Sequence, residues 1–181
     1  MLRAVRPIRH FRWCSSNKVK ISLNTAEQKL ATYVGKRRFL MARQQGLHNR
    51  KMNPRTQEET EVNGMAAEIA LCKILNVYPD LGDQHQVADM EFCGYTIDVK
   101  QTHYENGRLL LEYAKKSYCD IYVLMVGDMP HFRCAGLAHI NKLKQESNLI
   151  DLGYGKTYGL DQGNLTDINH FLQVAGVGRD G

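Results

Sequence analysis

No stretch of this sequence is long and apolar enough to span a membrane: the longest unbroken apolar run, Ile121 to Val126, covers six residues, against the roughly 20 a bilayer requires. The reading is a soluble protein with no membrane partner. Cys-x-x-Cys is absent, and the five cysteines (Cys14, Cys72, Cys93, Cys119, Cys134) are odd in number and widely spaced. Neither a disulfide framework nor a thiolate zinc site is supported, and an intracellular, reducing compartment fits best. The seven histidines form no His-x-x-x-His pair, which removes the usual helical zinc signature. Internal repeats and low-complexity tracts are missing. With 43% apolar residues in 181, the chain has the composition of one ordinary globular domain, not a disordered one.

Acids are missing from the front of the chain. Residues 1 to 20 carry six bases and no acid, residues 21 to 57 carry eight bases against Glu27 alone, and residues 58 to 181 carry ten bases against 18 acids. The net +5 therefore hides a basic front and an acidic back, a polarity suited to a polyanion at one end and a cation at the other. The opening segment, Met1 to Ser16, is rich in Arg, free of acid and ends in serines. It fits an organellar leader, a basic N-terminal arm, or residues added by an upstream start codon. Residues 1 to 20 are set apart on that ground, leaving 21 to 181 as a single domain.

Asn24 and Thr25 each offer capping-box chemistry, with Glu27 and Gln28 as the answering residues. Apolar residues recurring at Leu30, Tyr33, Val34, Phe39, Leu40 and Met41 predict a helix over about 25–45. A second helix is expected over about 57–76, stopped by Pro79-Asp80. The period then changes. Val87 to Phe92 and Tyr95 to Thr102 read as strands joined at Cys93-Gly94, followed by strands at Leu109 to Tyr113, Asp120 to Val126 and His131 to Ala138. A short helix is expected over Ile140 to Glu146, and the Gly- and Asn-rich remainder reads as coil. That order argues for an α+β fold with one mixed β-sheet flanked by helices.

Chemistry concentrates in three places. On the second helix Glu68 shares a stripe with Leu71, Cys72 and Leu75, at i, i+3, i+4 and i+7, so its carboxylate either reaches water at the stripe's edge or needs a compensating partner. In the strand Tyr95 to Thr102, period two puts Asp98 and Lys100 on one face. The hairpin brings Asp89 alongside, with Glu91 on the same face as an alternative or additional ligand. Two Asp side chains and a main-chain carbonyl form a hard oxygen site suited to Mg²⁺, and a neighbouring lysine can orient a water.

A helix Glu followed by Asp and Asp-x-Lys across a hairpin, here Glu68, Asp89 and Asp98-Val99-Lys100, resembles the PD-(D/E)xK nuclease superfamily. Asn76 to Asp80, Gly107 to Leu110, Asp120 to Gly127 and Leu152 to Tyr158 are similar to short phage-encoded members, so the resemblance extends over about 24–165. It implies a restriction-endonuclease-like core and hydrolysis of DNA phosphodiesters. Asp89 and Asp98 would be metal ligands, Val99 would lend its carbonyl, Glu68 would reach the metal directly or through water, and Lys100 would position the attacking water. The implied cofactor is Mg²⁺, with Mn²⁺ as a substitute. Ala88 stands where the motif often has Pro, and the β-like stretch before Asp120 stands where many members have a helix.

DNA is the expected partner, and a homodimer is compatible with the same reading. The phosphate contacts are assigned to Lys36, Arg37, Arg38 and Arg43 on the first helix, to Arg50 and Lys51 in the loop after it, and to Arg108 near the site, with Lys115 and Lys116 as a fallback. Tyr104, Tyr113, Tyr118 and Tyr122 read as core packing. Gly155-Lys156-Thr157 lacks the earlier glycine and the strand-loop-helix frame of a phosphate loop. A rival from another class is a catalytically inactive nuclease fold that binds DNA without cutting it.

Overall fold

The computed structural model describes residues 18–46, 56–82, 88–115, 118–153 and 155–175. Two long helices open it after a short edge strand, β1 (Lys20–Ser22). The first, α1 (Thr25–Gln44), starts at Asn24, whose side chain accepts from the N–H groups of Ala26 and Glu27 while Glu27 answers the Asn24 N–H. Of the two expected capping boxes, this one forms. The second, α2 (Gln57–Leu75), has the same arrangement between Thr56 and Glu59. It ends at Asn76 in the left-handed conformation, so the stop precedes Pro79. The helices run antiparallel, with Gly35 of α1 against Val62 of α2, where a Cβ on Gly35 would lie 2.6 Å from the Val62 Cα.

Behind the helices lies a five-stranded mixed sheet in the order β1-β6-β5-β3-β2, formed with β2 (Met90–Phe92), β3 (Tyr95–Thr102), β5 (Ile121–Asp128) and β6 (His131–His139). Only β3 and β5 are parallel; the other neighbours are antiparallel. Cys93 and Gly94 both take positive φ, at 49° and 79°, as a two-residue hairpin turn between β2 and β3 requires. All six residues from Ile121 to Val126 are buried, because β5 is covered on both faces. Ile121, Val123 and Met125 face α1, α2 and α4 (Ile168–Val174). Tyr122, Leu124 and Val126 face the other way. A bulge opposite Leu124 and Met125 switches the phase of β6, so Phe132 and Cys134 on one side of it and Leu137 on the other all lie on the helix side, with Ala138 opposite.

What covers that second face corrects the expectation of one sheet. Strand β4 (Leu109–Glu112) leaves the main sheet and pairs with β8 (Lys156–Leu160), which pairs in turn with β7 (Leu149–Asp151). Leu109, Leu111, Tyr158 and Leu160 close a second core on Tyr122 and Leu124. The segment read as coil thus holds two strands and α4. The expected helix over Ile140 to Glu146 is a single turn, α3 (Ile140–Leu143), followed by a 3₁₀ turn at Glu146–Asn148. Lys156 and Thr157 belong to a strand, unlike a phosphate loop. The arrangement is α+β in three layers, with the helix pair, the mixed sheet and the small sheet stacked in that order.

Candidate functional site

Asp89, Asp98 and Lys100 gather where β3 runs on beyond β2, and Glu68 on α2 lies near enough to feel the charges of Asp89 and Asp98. Asp89 precedes β2, and its N–H donates to the Ile97 carbonyl at 2.9 Å. Its own Oδ2 accepts the Val99 N–H at 2.6 Å, so the side chain wraps the edge of β3 beyond the last ladder pair. Backbone groups along a strand alternate in direction, and the Val99 carbonyl therefore points to the same edge as the Val99 N–H, beside Asp89. Glu91 is exposed and sits opposite Thr96 in the hairpin register.

Asp98 is the buried polar residue of the core, 5% exposed. Two cations hold it. Lys115, in the turn after β4, donates to Oδ2 at 2.8 Å, and Lys100 forms an ion pair with Oδ1. Both ammonium groups lie near the Tyr122 ring, that of Lys115 at 5.6 Å and that of Lys100 at 6.0 Å from its centroid.

Of the two alternatives open to Glu68, the structure shows burial, with the side chain 13% exposed, and its compensation comes from α1. The Arg38 guanidinium donates to both carboxylate oxygens, at 3.1 Å and 2.8 Å, and to the carbonyls of Asp80 and Gly82. Arg38 thus ties α1, α2 and the α2–β2 loop together at one point. Assigned above to phosphate contact, it is placed by the structure as an interior partner of Glu68. The signal was present in the sequence: a carboxylate on an apolar stripe demands a cation, and the neighbouring helix carries five basic residues.

Crowding shows in the protonation of Glu68 and Asp89. Burial, then the negative charges of Asp89 and Asp98, raise the Glu68 carboxyl to about 8, with Arg38 opposing. The Asp89 carboxyl is also raised, by burial and by Asp98, against the pull of the Val99 N–H, Lys100 and Arg38. Burial works to lower the pKa of Lys115, but its bond to Asp98 and the attraction of that charge outweigh burial and raise it. Burial and Glu68 push the Cys72 thiol up to about 12, and burial and Asp98 push Cys119 up to about 11, so neither is a reactive thiolate.

Among the described residues no group of three or more His, Cys, Asp or Glu side chains is arranged as a metal cage. The donors present nevertheless suit Mg²⁺, which takes one or two carboxylates and keeps several waters. They are the Asp98 carboxylate, Asp89 and the Val99 carbonyl.

The other basic residues do not gather at this site. Lys36 pairs with Glu58 at 3.1 Å, both well exposed. Arg37 is half-buried, the Arg43 guanidinium lies 5.0 Å from the Phe39 ring, and Arg108 pairs with Asp161 at 2.6 Å. Arg50, Lys51, Lys116 and the segment Met1 to Ser16 lie outside the described residues. Tyr122 is fully buried as expected. Tyr104 and Tyr113, read as core packing, are instead about half exposed, because β4 ends and the Tyr104 turn begins at the rim of the sheets. No helix among the described residues is long and apolar enough to cross a membrane. Comparison with family models, with curated proteins and with solved structures gives no match to this chain.

Proposed function

We propose that this chain is a divalent-metal-dependent deoxyribonuclease of the PD-(D/E)xK type, built on a restriction-endonuclease-like core. The observation that carries the reading is the bond from the Val99 N–H to Asp89 next to the buried Asp98–Lys100 pair, with Glu68 close enough to feel both carboxylates. The mixed sheet, in which the Asp-x-Lys strand has an antiparallel neighbour on one side and a parallel one on the other, is compatible with that core.

Asp89, Asp98 and the Val99 carbonyl would hold Mg²⁺ or Mn²⁺, with Glu68 behind them. When bound, such a metal supplies Lewis acidity and lowers the pKa of water. Lys100 orients the attacking water and offsets charge at the phosphate, and Glu68, its carboxyl raised to about 8 against the pull of Arg38, hydrogen-bonds the surrounding water. Hydrolysis forms one bond from the water oxygen to phosphorus and breaks one ester P–O bond.

The rival reading, an inactive nuclease fold that binds DNA, has an observation of its own. Asp98 is held by two lysines and Glu68 by an arginine, so the carboxylates are already neutralised by protein cations. Plasmid and linear DNA incubated with Mg²⁺, Mn²⁺ or chelator separate the two. Metal-dependent cleavage that disappears in a folded Asp98→Asn variant supports the nuclease. DNA binding without cleavage under every condition supports the rival, and neither binding nor cleavage overturns both.

A further inference from the structure

The site carries three carboxylates, Glu68, Asp89 and Asp98, and three cations that face them, Arg38, Lys100 and Lys115. With all six groups ionised the cluster is neutral, and any proton taken up by one of the carboxylates makes it positive. A divalent cation placed among the same groups would leave two positive charges in a largely buried pocket, which is unfavourable unless a cation leaves or an anion arrives.

The three cations are not equally free to leave. Arg38 is anchored twice over, by both oxygens of Glu68 and by two main-chain carbonyls. Lys100 rises from the same strand as Asp98, two residues along, and has the water-orienting role in the proposed reaction. Lys115 comes from a turn 17 residues away, and among the described residues its ammonium donates to Asp98 Oδ2 alone. Its side chain is 29% exposed, so the flexible four-carbon stem has solvent to swing into.

Resting on the metal-dependent reading above, we infer that Lys115 is a counter-ion latch: its ammonium occupies Asp98 Oδ2 when no divalent cation is bound, and metal entry displaces it. The bond to Asp98 must be surrendered for each metal bound. Lys115 therefore weakens metal affinity and stabilises the metal-free protein, the reverse of what a simple structural brace would do. Once displaced, the ammonium stands at the rim of the site, where an incoming phosphodiester brings negative charge.

The test is calorimetric titration of the full chain with Ca²⁺ in the wild type and in Lys115→Met, with Lys115→Arg as the charge-preserving control. Giving up one charge-assisted hydrogen bond corresponds to about tenfold or more in an equilibrium constant. Lys115→Met should thus bind Ca²⁺ at least about tenfold more tightly, melt at a lower temperature in chelator, and recover most of the difference at saturating Ca²⁺. Lys115→Arg should stay close to wild type. Equal or weaker Ca²⁺ binding by folded Lys115→Met overturns the latch while leaving the metal site in place.

A second measurement needs no variant. In ¹⁵N-lysine-labelled wild type, the Lys115 ammonium, bonded to Asp98, should give a slowly exchanging signal in chelator that is lost as Ca²⁺ is added. Persistence of that signal at saturating Ca²⁺ also overturns the latch. If neither wild type nor Lys115→Met binds a divalent cation, the metal-dependent reading fails together with it.

Discussion

Glu68 makes the stability of the metal-free protein depend on pH in an unusual direction. Its carboxyl lies near 4.5 in the unfolded chain and at about 8 in the folded one. A group whose folded pKa is raised binds more protons in the native state, so stability is fully present below about 4.5 and declines as pH rises toward 8. At about 1.36 kcal/mol per pH unit, the shift bounds the loss at roughly 4 to 5 kcal/mol, and the coupling to Asp89 makes this an upper limit. Asp89, also raised, adds a smaller loss of the same sign. Glu27, where the Lys73 and Asn24 hydrogen bonds outweigh burial, and Asp120, bonded twice by Thr96, both sit low and act with the opposite sign on the acid side of this window. The assay is urea denaturation in chelator at pH 5, 6, 7 and 8, comparing wild type with Glu68→Gln. The amide imitates the protonated carboxyl and can accept from Arg38, so the variant should match wild type at pH 5 and exceed it by several kcal/mol at pH 8. Parallel slopes for the two proteins from pH 5 to pH 8 would refute the argument.

Lys100→Ala should bind metal no more weakly than wild type, because a neighbouring cation is gone, yet cleave DNA at least about a hundredfold more slowly for want of its water-orienting group; calorimetry beside single-turnover cleavage checks both halves. Gly35→Ala should lose about 1 to 3 kcal/mol by pushing α1 off Val62, read as a lower urea midpoint with unchanged slope. Replacing Arg37, Arg50 and Lys51 by Ala should flatten the dependence of log K on log salt for duplex DNA by about 0.9 for each residue that touches phosphate, measured in Ca²⁺; an unchanged slope would mean that these residues form only a solvated surface. Arg38→Ala should lower stability by about 3 to 5 kcal/mol above pH 8, where it strands an ionised Glu68, and by less at pH 6, where Glu68 is protonated.

The carboxylates of the site were legible because their geometry is local. Asp98 and Lys100 share a strand face by period two, and a two-residue turn at Cys93-Gly94 fixes where Asp89 must fall. The helix that carries Glu68 announces itself by caps and an apolar stripe. The small sheet was not legible for the complementary reason: β4 finds its partner β8 almost 50 residues later, in a stretch where Gly153, Gly155 and Gly159 interrupt the alternation that marks a strand. Strand pairing over such a distance is decided by the second face of β5, and nothing in the run Ile121 to Val126 says which distant leucines and tyrosines will cover it.

The same distinction separates the ligands from their counter-ions. Carboxylates close to one another and withdrawn from water demand positive charge, and the sequence states that demand without naming the supplier. Thirty residues separate Arg38 from Glu68, and 17 separate Lys115 from Asp98, so each pairing exists only once the helices and sheets are stacked. Arg38 lies in a basic run with Lys36, Arg37 and Arg43, so charge density alone does not single it out as the partner of Glu68. Its position after Gly35, where α1 comes closest to α2, is what turns it inward. The division of labour follows: chemistry is written on one hairpin, while the charge balance that governs when that chemistry is available is distributed over elements that meet only in three dimensions.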